Sequence, residues 1–268
     1  MGVAYKLKII NEKKIYRGDF VCGVPFEACK VLTRERGMIS IKIEAIGHIR
    51  SDFPEKFGIP RQSGLVDKLE AVVVFDLPYR NEDALRGLEG YSHIWLLWEF
   101  SENIGRDWSP TVRPPRLGGN ERVGVFATRS PFRPNPIGLS SVRLLGIEKH
   151  DKWGVVLRVA GADLLDGTPI YDIKPYLPHI DSHPEAAGGF AAEVKEYRLE
   201  VECPQRMLKE LPEGKQDALL EILANDPRPA YHDECMRVYG MKFAGYEVKF
   251  RVENGIVYVK SIVREGNG

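Results

Sequence analysis

Three segments of the chain combine charged side chains with prolines and glycines, a mixture that suits the binding of a small charged ligand. They are residues 56–64, 124–138 and 163–176. Proline fixes the backbone and glycine lets a ligand approach it, so charges on such loops are held in place. Arginine binds carboxylates, and aspartate accepts hydrogen bonds from hydroxyl or amino groups. The segments predict a site for a zwitterion with ribose hydroxyls, or alternatively rigid corners of a β-sheet.

An excess of arginine surrounds the second segment. Seven arginines, only two carboxylates and no lysine lie between residues 106 and 143. The arginines are Arg106, Arg113, Arg116, Arg122, Arg129, Arg133 and Arg143. A guanidinium binds anions and stacks on bases, so the excess favours an anion or nucleotide site over mere solubilising charge on a loop. The whole chain has a formal net charge of +0, which excludes the broad basic surface of a non-specific nucleic-acid binder.

Several common chemistries have no signal in the sequence. The chain lacks a dinucleotide-binding glycine motif, a Walker loop and a nucleophile elbow. His179 and His183 flank Asp181 in a proline-bounded loop, where histidines are usually solvated, so no metal site is predicted. The four cysteines form no Cys-x-x-Cys pair, and no apolar run has membrane length. These features predict a cytoplasmic protein with reduced thiols and no membrane span.

Alternation of apolar and polar residues predicts many short strands. The first is indicated by Ile41, Ile43 and Ala45, which alternate with polar residues as in a half-buried strand. Further strands are predicted at 69–75, 93–100, 123–128, 139–147 and 153–160. The segment 93–100 is almost wholly apolar, which predicts burial on both of its faces.

One short helix interrupts these strands. It is predicted over 81–88, with Asn81 as its cap and Gly90 as its stop. Many short strands with a single helix favour an antiparallel β-barrel over alternating β–α units, so the fold class is mainly β.

The C-terminal part predicts a small α+β domain. It has a strand near 197–201, an amphipathic helix near 216–223 and a hairpin of two strands around Asn254-Gly255, the turn that β-hairpins favour most. Three parts are therefore expected along the chain. They are an N-terminal extension over 1–37, a barrel domain over 38–184 and the α+β domain over 185–268.

The three charged segments resemble the TsaA-like family of tRNA methyltransferases. Two further strings share this resemblance, Leu88-Glu89-Gly90-Tyr91-Ser92-His93-Ile94-Trp95 and Arg113-Pro114-Pro115-Arg116-Leu117-Gly118-Gly119-Asn120. The most specific string begins Gly124-Val125-Phe126-Ala127-Thr128-Arg129-Ser130. Asp226-Pro227-Arg228-Pro229-Ala230-Tyr231 resembles the appended domain of the bacterial TrmO type. The resemblance covers Ile41 to about Pro178 and this C-terminal motif, whereas residues 1–37 fall outside it.

The resemblance implies a single-sheeted antiparallel β-barrel that forms a homodimer and binds S-adenosylmethionine near the subunit interface. It implies methyl transfer to N6 of threonylcarbamoyladenosine, next to the anticodon of a threonine tRNA. The cofactor contacts that it implies are Pro60, Arg61, Gln62, His93, Ile94, Arg129, Leu139, Asp166, Gly167, Thr168 and Pro169.

Roles can be assigned to some of these residues on chemical grounds. Arg61 or Arg129 suits the methionine carboxylate, and Asp166 suits the ribose hydroxyls or the amino group. Asp166 and Asp172 are candidates for the base that removes the N6 proton. The RNA-binding candidates are Arg113, Arg116, Arg133, Arg228 and Tyr231. Two alternatives remain: a methyltransferase with another acceptor, and a non-catalytic RNA-binding module.

Overall fold

The computed structural model describes residues 42–114, 121–190, 198–228 and 237–266. The chain divides into two units at residues 43 and 44, and the second unit, residues 44–268, is compact. The predicted extension over 1–37 lies outside the described residues. The elements given below all belong to the second unit.

Six strands of the second unit pair in an antiparallel ring. They are β1 (Gly47–Arg50), β2 (Glu70–Phe75), β3 (His93–Glu99), β6 (Ile137–His150), β7 (Gly154–Ala160) and β8 (Pro169–Pro175), in the order β1-β2-β7-β6-β3-β8. Strand β8 also pairs with β1, so the sheet closes into a barrel. Gly47 pairs with both Phe75 and Ile170, and a Cβ there would lie 2.3 Å from the Val74 oxygen. The predicted mainly β, antiparallel architecture is confirmed.

The interior of the barrel is filled by side chains from every second residue of its strands. In β3, Ile94, Leu96 and Trp98 are buried, and the residues between them are only partly covered. The prediction of burial on both faces of 93–100 was wrong. The outward Trp95 is half-covered because it packs on Tyr176 and donates from Nε1 to Asp181 at 3.1 Å.

The first predicted strand starts later than expected. Residues 42–46 have no strand assignment, and pairing with β2 and β8 begins at Gly47. The predicted strand 123–128 is also shorter. A two-stranded sheet joins β4 (Thr111–Val112) to β5 (Val123–Gly124), and a 3₁₀ turn then covers Val125–Ala127. The alternation of apolar and polar residues does not show where a neighbouring strand stops pairing with the segment.

The predicted helix over 81–88 is replaced by two 3₁₀ turns, Glu82–Leu85 and Leu88–Gly90. Its predicted cap is confirmed, since Asn81 Oδ1 accepts from the Asp83 amide at 2.9 Å. The interruption comes from Gly87, whose φ of 88° is incompatible with a right-handed helix.

The C-terminal part is a four-stranded sheet with two helices packed on it. Its strands are β9 (Glu200–Glu202), β10 (Tyr239–Phe243), β11 (Tyr246–Glu253) and β12 (Ile256–Arg264), in the order β10-β11-β12-β9. The helices α1 (Pro178–Asp181), α2 (Gln205–Leu208) and α3 (Glu213–Ala224) lie before and between these strands in the chain. Helices α2 and α3 pack on the sheet, whereas α1 precedes it and contacts Trp95 of the barrel through Asp181. The predicted helix near 216–223 is confirmed as part of α3.

The predicted hairpin is also confirmed. Strands β11 and β12 pair from Tyr246↔Arg264 to Glu253↔Ile256. Asn254 and Gly255 at the turn have φ of 51° and 79°, the left-handed values that this dipeptide permits.

The apolar core of the C-terminal sheet extends into the barrel domain. Phe53, Val66 and Leu69, which lie between β1 and β2, are at most 1% exposed in the same cluster as Leu219 of α3 and Phe250 of β11. The segment between β1 and β2 therefore connects the two cores. It is also the segment that carries the first charged loop of the sequence.

Candidate active site

A cavity of about 510 Å³ opens at the end of the barrel where β3 ends and β6 begins. Its walls come from four parts of the chain: residues 56–62, 98–103, 128–139 and 163–168. Parts of all three charged segments predicted from the sequence thus meet at one site. A cavity of several hundred Å³ is the usual size for a small-molecule site.

Six of the predicted cofactor contacts line this cavity. They are Pro60, Arg61, Gln62, Arg129, Leu139 and Thr168. Asp166, Gly167 and Pro169 are neighbours of Thr168 in the chain but are not among the lining residues.

His93 and Ile94 lie away from the cavity. They begin β3, whereas Trp98 and Glu99 at its other end line the cavity. At about 3.3 Å per residue the strand separates the two ends by roughly 20 Å. The Ile94 side chain is 0% exposed in the barrel core. Within one copy of the chain, His93 and Ile94 therefore lie far from the six predicted cofactor contacts that line the cavity.

The two predicted base candidates are engaged outside the cavity lining. Asp166 Oδ1 accepts from the Ser51 amide at 3.0 Å, and Oδ2 lies 3.3 Å from Arg50 Nη1. Asp172 pairs with Lys174 at 2.8 Å. These contacts hold a turn and a strand in place.

A third aspartate, Asp163, lines the cavity and was missed as a candidate for chemistry. Ser140 Oγ donates to Asp163 Oδ1 at 2.6 Å and accepts from Trp98 Nε1 at 2.9 Å. Burial raises the pKa of Asp163, while the Ser140 hydrogen bond and the nearby Arg129 charge oppose that rise. The signal available in the sequence is Ser140, a polar residue two positions before Val142 on the same face of a strand, and the structure shows that this face is inward and that Ser140 is fully buried.

Glycine makes room for this polar group. Gly138 pairs with Trp98 across β3 and β6, and a Cβ at Gly138 would lie 2.3 Å from the indole ring. Any larger residue would displace Trp98 and the hydrogen bond it donates to Ser140.

A second cavity carboxylate, Glu99, is held by Tyr171. The Tyr171 hydroxyl donates to Glu99 Oε1. Burial, and then the hydrogen bond and charge of Glu99, raise the pKa of Tyr171 to about 12. A tyrosine hydroxyl is protonated at neutral pH, and the raised pKa extends this to more alkaline pH, so Tyr171 donates to the Glu99 carboxylate and fixes it.

The cavity cations are held in different ways. Arg61 Nη2 donates to the main-chain oxygens of Asp226 at 2.9 Å and Arg228 at 3.0 Å. Arg129 Nη1 donates to Gln62 Oε1. Arg133 Nη1 donates to the Thr128 oxygen at 2.6 Å and so braces its own loop.

The remaining RNA-binding candidates are placed unevenly. Arg113 is exposed, whereas the Arg228 side chain is 10% exposed and pairs with Asp226 at 2.8 Å. Arg116 and Tyr231 lie outside the described residues.

Two further observations concern metals and membranes. Across residues 42–114, 121–190, 198–228 and 237–266, no group of three or more metal-ligating side chains is found. In the same part of the chain, no helix is both long enough and apolar enough to cross a membrane.

Comparison with known sequences extends over both domains. The family model for the tRNA-methyltransferase O N-terminal domain matches residues 48–182, and that for the TrmO C-terminal domain matches residues 196–265. An Escherichia coli tRNA (adenine(37)-N6)-methyltransferase is 45% identical over 223 residues, which cover 80% of this chain and 94% of that protein.

Two further relatives agree with this match. A Pseudomonas aeruginosa protein, whose name includes the words S-adenosylmethionine-dependent methyltransferase, is 41% identical over 77% of this chain and 90% of its own length. The crystal structure of TrmO from P. aeruginosa is 34% identical and superposes with a TM-score of 0.69, covering 86% of this chain and 100% of that one. On these matches the chain belongs to the tRNA-methyltransferase O family.

Proposed function

We propose that this chain transfers the methyl group of S-adenosylmethionine to N6 of threonylcarbamoyladenosine, next to the anticodon of a threonine tRNA. The family membership supports a tRNA methyltransferase, and the E. coli relative is named for N6 of adenine 37. The observation that carries the proposal is the convergence of the three charged segments on one cavity of about 510 Å³.

The cavity suits a zwitterionic ligand with a cationic sulfur. Arg129 is among its lining residues and supplies positive charge for the methionine carboxylate, whereas Lys56 in the same wall pairs with Glu102 at 2.5 Å. Trp98 and Phe100 supply aromatic rings, which attract cations such as a sulfonium. Bound S-adenosylmethionine supplies an activated methyl group. The chain's own contribution is to hold the acceptor nitrogen in line with it, and such orientation is worth roughly 7–11 kcal/mol in favourable cases.

The acceptor N6–H must also lose its proton. Asp163 is the base that we favour, because it lines the cavity and its burial raises its pKa towards the working pH. Ser140 fixes one of its oxygens by donating at 2.6 Å. Asp166 and Asp172 have partners in Arg50 and Lys174, which supports a structural role for both.

A homodimer is part of the proposal. His93 is exposed at the far end of β3, so a second copy would be needed to bring it to the cavity, whereas the Ile94 side chain stays in the barrel core. Apolar side chains are exposed along residues 126–139, a stretch that includes part of the cavity wall and the start of β6, namely Phe126 at 73%, Leu139 at 51% and Phe132 at 40%. Clusters of this kind mark interaction surfaces.

We expect the chain, whose mass is 30.3 kDa, to sediment with twice that mass at micromolar concentration. Closed two-fold association is the commonest way in which such a surface is covered. Analytical ultracentrifugation measures this directly. A monomer with full methyltransferase activity would contradict the shared site.

The acceptor is tested by comparing two tRNA preparations. We expect threonine tRNA that carries the threonylcarbamoyl group to accept methyl groups about tenfold faster or more than the same tRNA without it, since remote substrate contacts raise the rate of the reacting centre. Transfer of radiolabelled methyl groups, followed by nucleoside analysis, measures both. Equal rates would favour another acceptor, and cofactor binding without transfer to any tRNA would favour a binding module.

A further inference from the structure

A chain of hydrogen bonds runs from the C-terminal domain to the cavity. The Arg61 guanidinium donates to the main-chain oxygens of Asp226 and Arg228, at 2.9 and 3.0 Å. Gln62 Nε2 donates to the Arg61 carbonyl at 2.6 Å, and Gln62 Oε1 accepts from Arg129. Arg61, Gln62 and Arg129 all line the cavity. The setting of Arg129 therefore depends on a turn in the other domain.

That turn is fixed by a buried ion pair. Arg228 donates from Nε to Asp226 Oδ1 at 2.8 Å and from Nη2 to Oδ2 at 2.9 Å, and both side chains are 10% exposed. A two-point contact between guanidinium and carboxylate fixes orientation as well as distance. Asp226 also has a φ of 49°, a left-handed conformation that aspartate tolerates better than most residues. The pair thus sets the direction of the two carbonyls that accept from Arg61.

Apolar contacts also anchor the loop 56–64 to the C-terminal domain. Phe57 and Ile59 pack against the core of the C-terminal domain, and Ile59 also lines the cavity. Asn225 Nδ2 donates to the Leu65 oxygen at 3.4 Å, just beyond the loop. The loop 56–64 is therefore anchored to the C-terminal domain along its length.

We propose that Asp226 and Arg228 are positioning residues for the cofactor cavity: they hold Arg61 and, through it, Gln62 and Arg129. The C-terminal domain then contributes to cofactor binding as well as to any contact with tRNA. This inference rests on the proposed function, since it takes the ligand of the cavity to be S-adenosylmethionine.

The test uses the full chain with Arg228→Met, which keeps an apolar stem but removes the guanidinium. Calorimetry should show about tenfold weaker binding of S-adenosylmethionine, the scale of one lost charge-assisted contact. The KM for tRNA at saturating cofactor should stay within a few-fold of wild type. Arg251→Met is the matched control, because Arg251 pairs with Glu253 at 2.9 Å in the hairpin of the same domain. It should leave the cofactor affinity unchanged.

A double-mutant cycle separates positioning from a general loss of stability. If Arg228 acts through Arg61, adding Arg228→Met to Arg61→Met should weaken cofactor binding no further. Independent losses that multiply would overturn the proposal. So would an Arg228→Met protein that melts at a lower temperature or has a raised KM for tRNA while binding the cofactor normally.

Hydrogen exchange without ligand provides a measurement that does not depend on the proposed function. Amides of residues 56–64 should exchange faster in Arg228→Met than in wild type or Arg251→Met. If wild type fails to bind S-adenosylmethionine but this exchange difference is seen, the proposed function fails while the contact stands. Unchanged exchange with normal cofactor binding would overturn the inference alone.

Discussion

Replacing Asp163 with asparagine is expected to lower kcat for methyl transfer by about 10²- to 10⁴-fold, the usual contribution of a positioned base. Asparagine keeps an oxygen to accept from Ser140, so the hydrogen bond that now measures 2.6 Å can persist. Affinity for S-adenosylmethionine should change little by comparison. Single-turnover transfer to modified threonine tRNA, with calorimetry of the cofactor, checks both parts of this expectation.

The pH dependence of this variant provides a second check. In wild type, kcat should rise with pH through the pKa of Asp163, which burial raises above that of an exposed aspartate, and then level off. The variant should lack this rise. A native pKa above the unfolded value means that ionised Asp163 destabilises the fold, and that this cost appears as pH rises through the native pKa. The melting temperature of the variant at pH 7 should therefore equal or exceed that of wild type.

Two further variants test which of the three aspartates is the base. Asp166→Asn and Asp172→Asn should each retain kcat within about tenfold of wild type, because their side chains bond to Ser51 and Lys174 outside the cavity lining. If Asp163→Asn keeps full activity and either companion loses it, the base has been placed wrongly.

Replacing Arg129 with alanine is expected to weaken the binding of S-adenosylmethionine about ten- to a hundred-fold. A hydrogen bond to a charged group contributes about 1.5–3 kcal/mol, which converts to this range of affinity. Arg129 lines the cavity and is aimed by Gln62, so its guanidinium is already oriented before a ligand arrives. Calorimetry measures the change. Arg122→Ala is the control from the same arginine-rich stretch, because Arg122 is exposed and is not among the lining residues. Equal affinities for the two variants would contradict the placement.

Sequence patterns predicted best those elements whose conformation depends only on their own residues. Asn254-Gly255 favours a hairpin turn without help from distant residues, and the turn is present. The strand proposed at 41–45 is absent over residues 42–45, the part of it that the structure describes. Alternation shows which residues suit a strand but not whether a neighbouring strand is present. Pairing begins only at Gly47, where β2 and β8 both supply partners.

The site could be predicted in outline but not in its contacts. Charge on rigid loops was enough to identify the three segments that meet at the cavity. The link from Trp98 through Ser140 to Asp163 depends on the register between β3 and β6, which brings together residues 42 apart in the chain. Arg61 and Asp226 are separated by 165 residues. No spacing rule within one sequence reports contacts at such distances.

The apolar cluster shared by the domains has a consequence for how the chain folds. Phe53, Val66 and Leu69 are buried by residues that enter the C-terminal sheet far later in the sequence. A barrel made without that sheet would leave these side chains in water, where exposed apolar surface promotes aggregation. Synthesis from the N-terminus would thus leave these side chains uncovered until the last hairpin forms. Because the two cores share these side chains, ligand bound in one domain stabilises the other against unfolding.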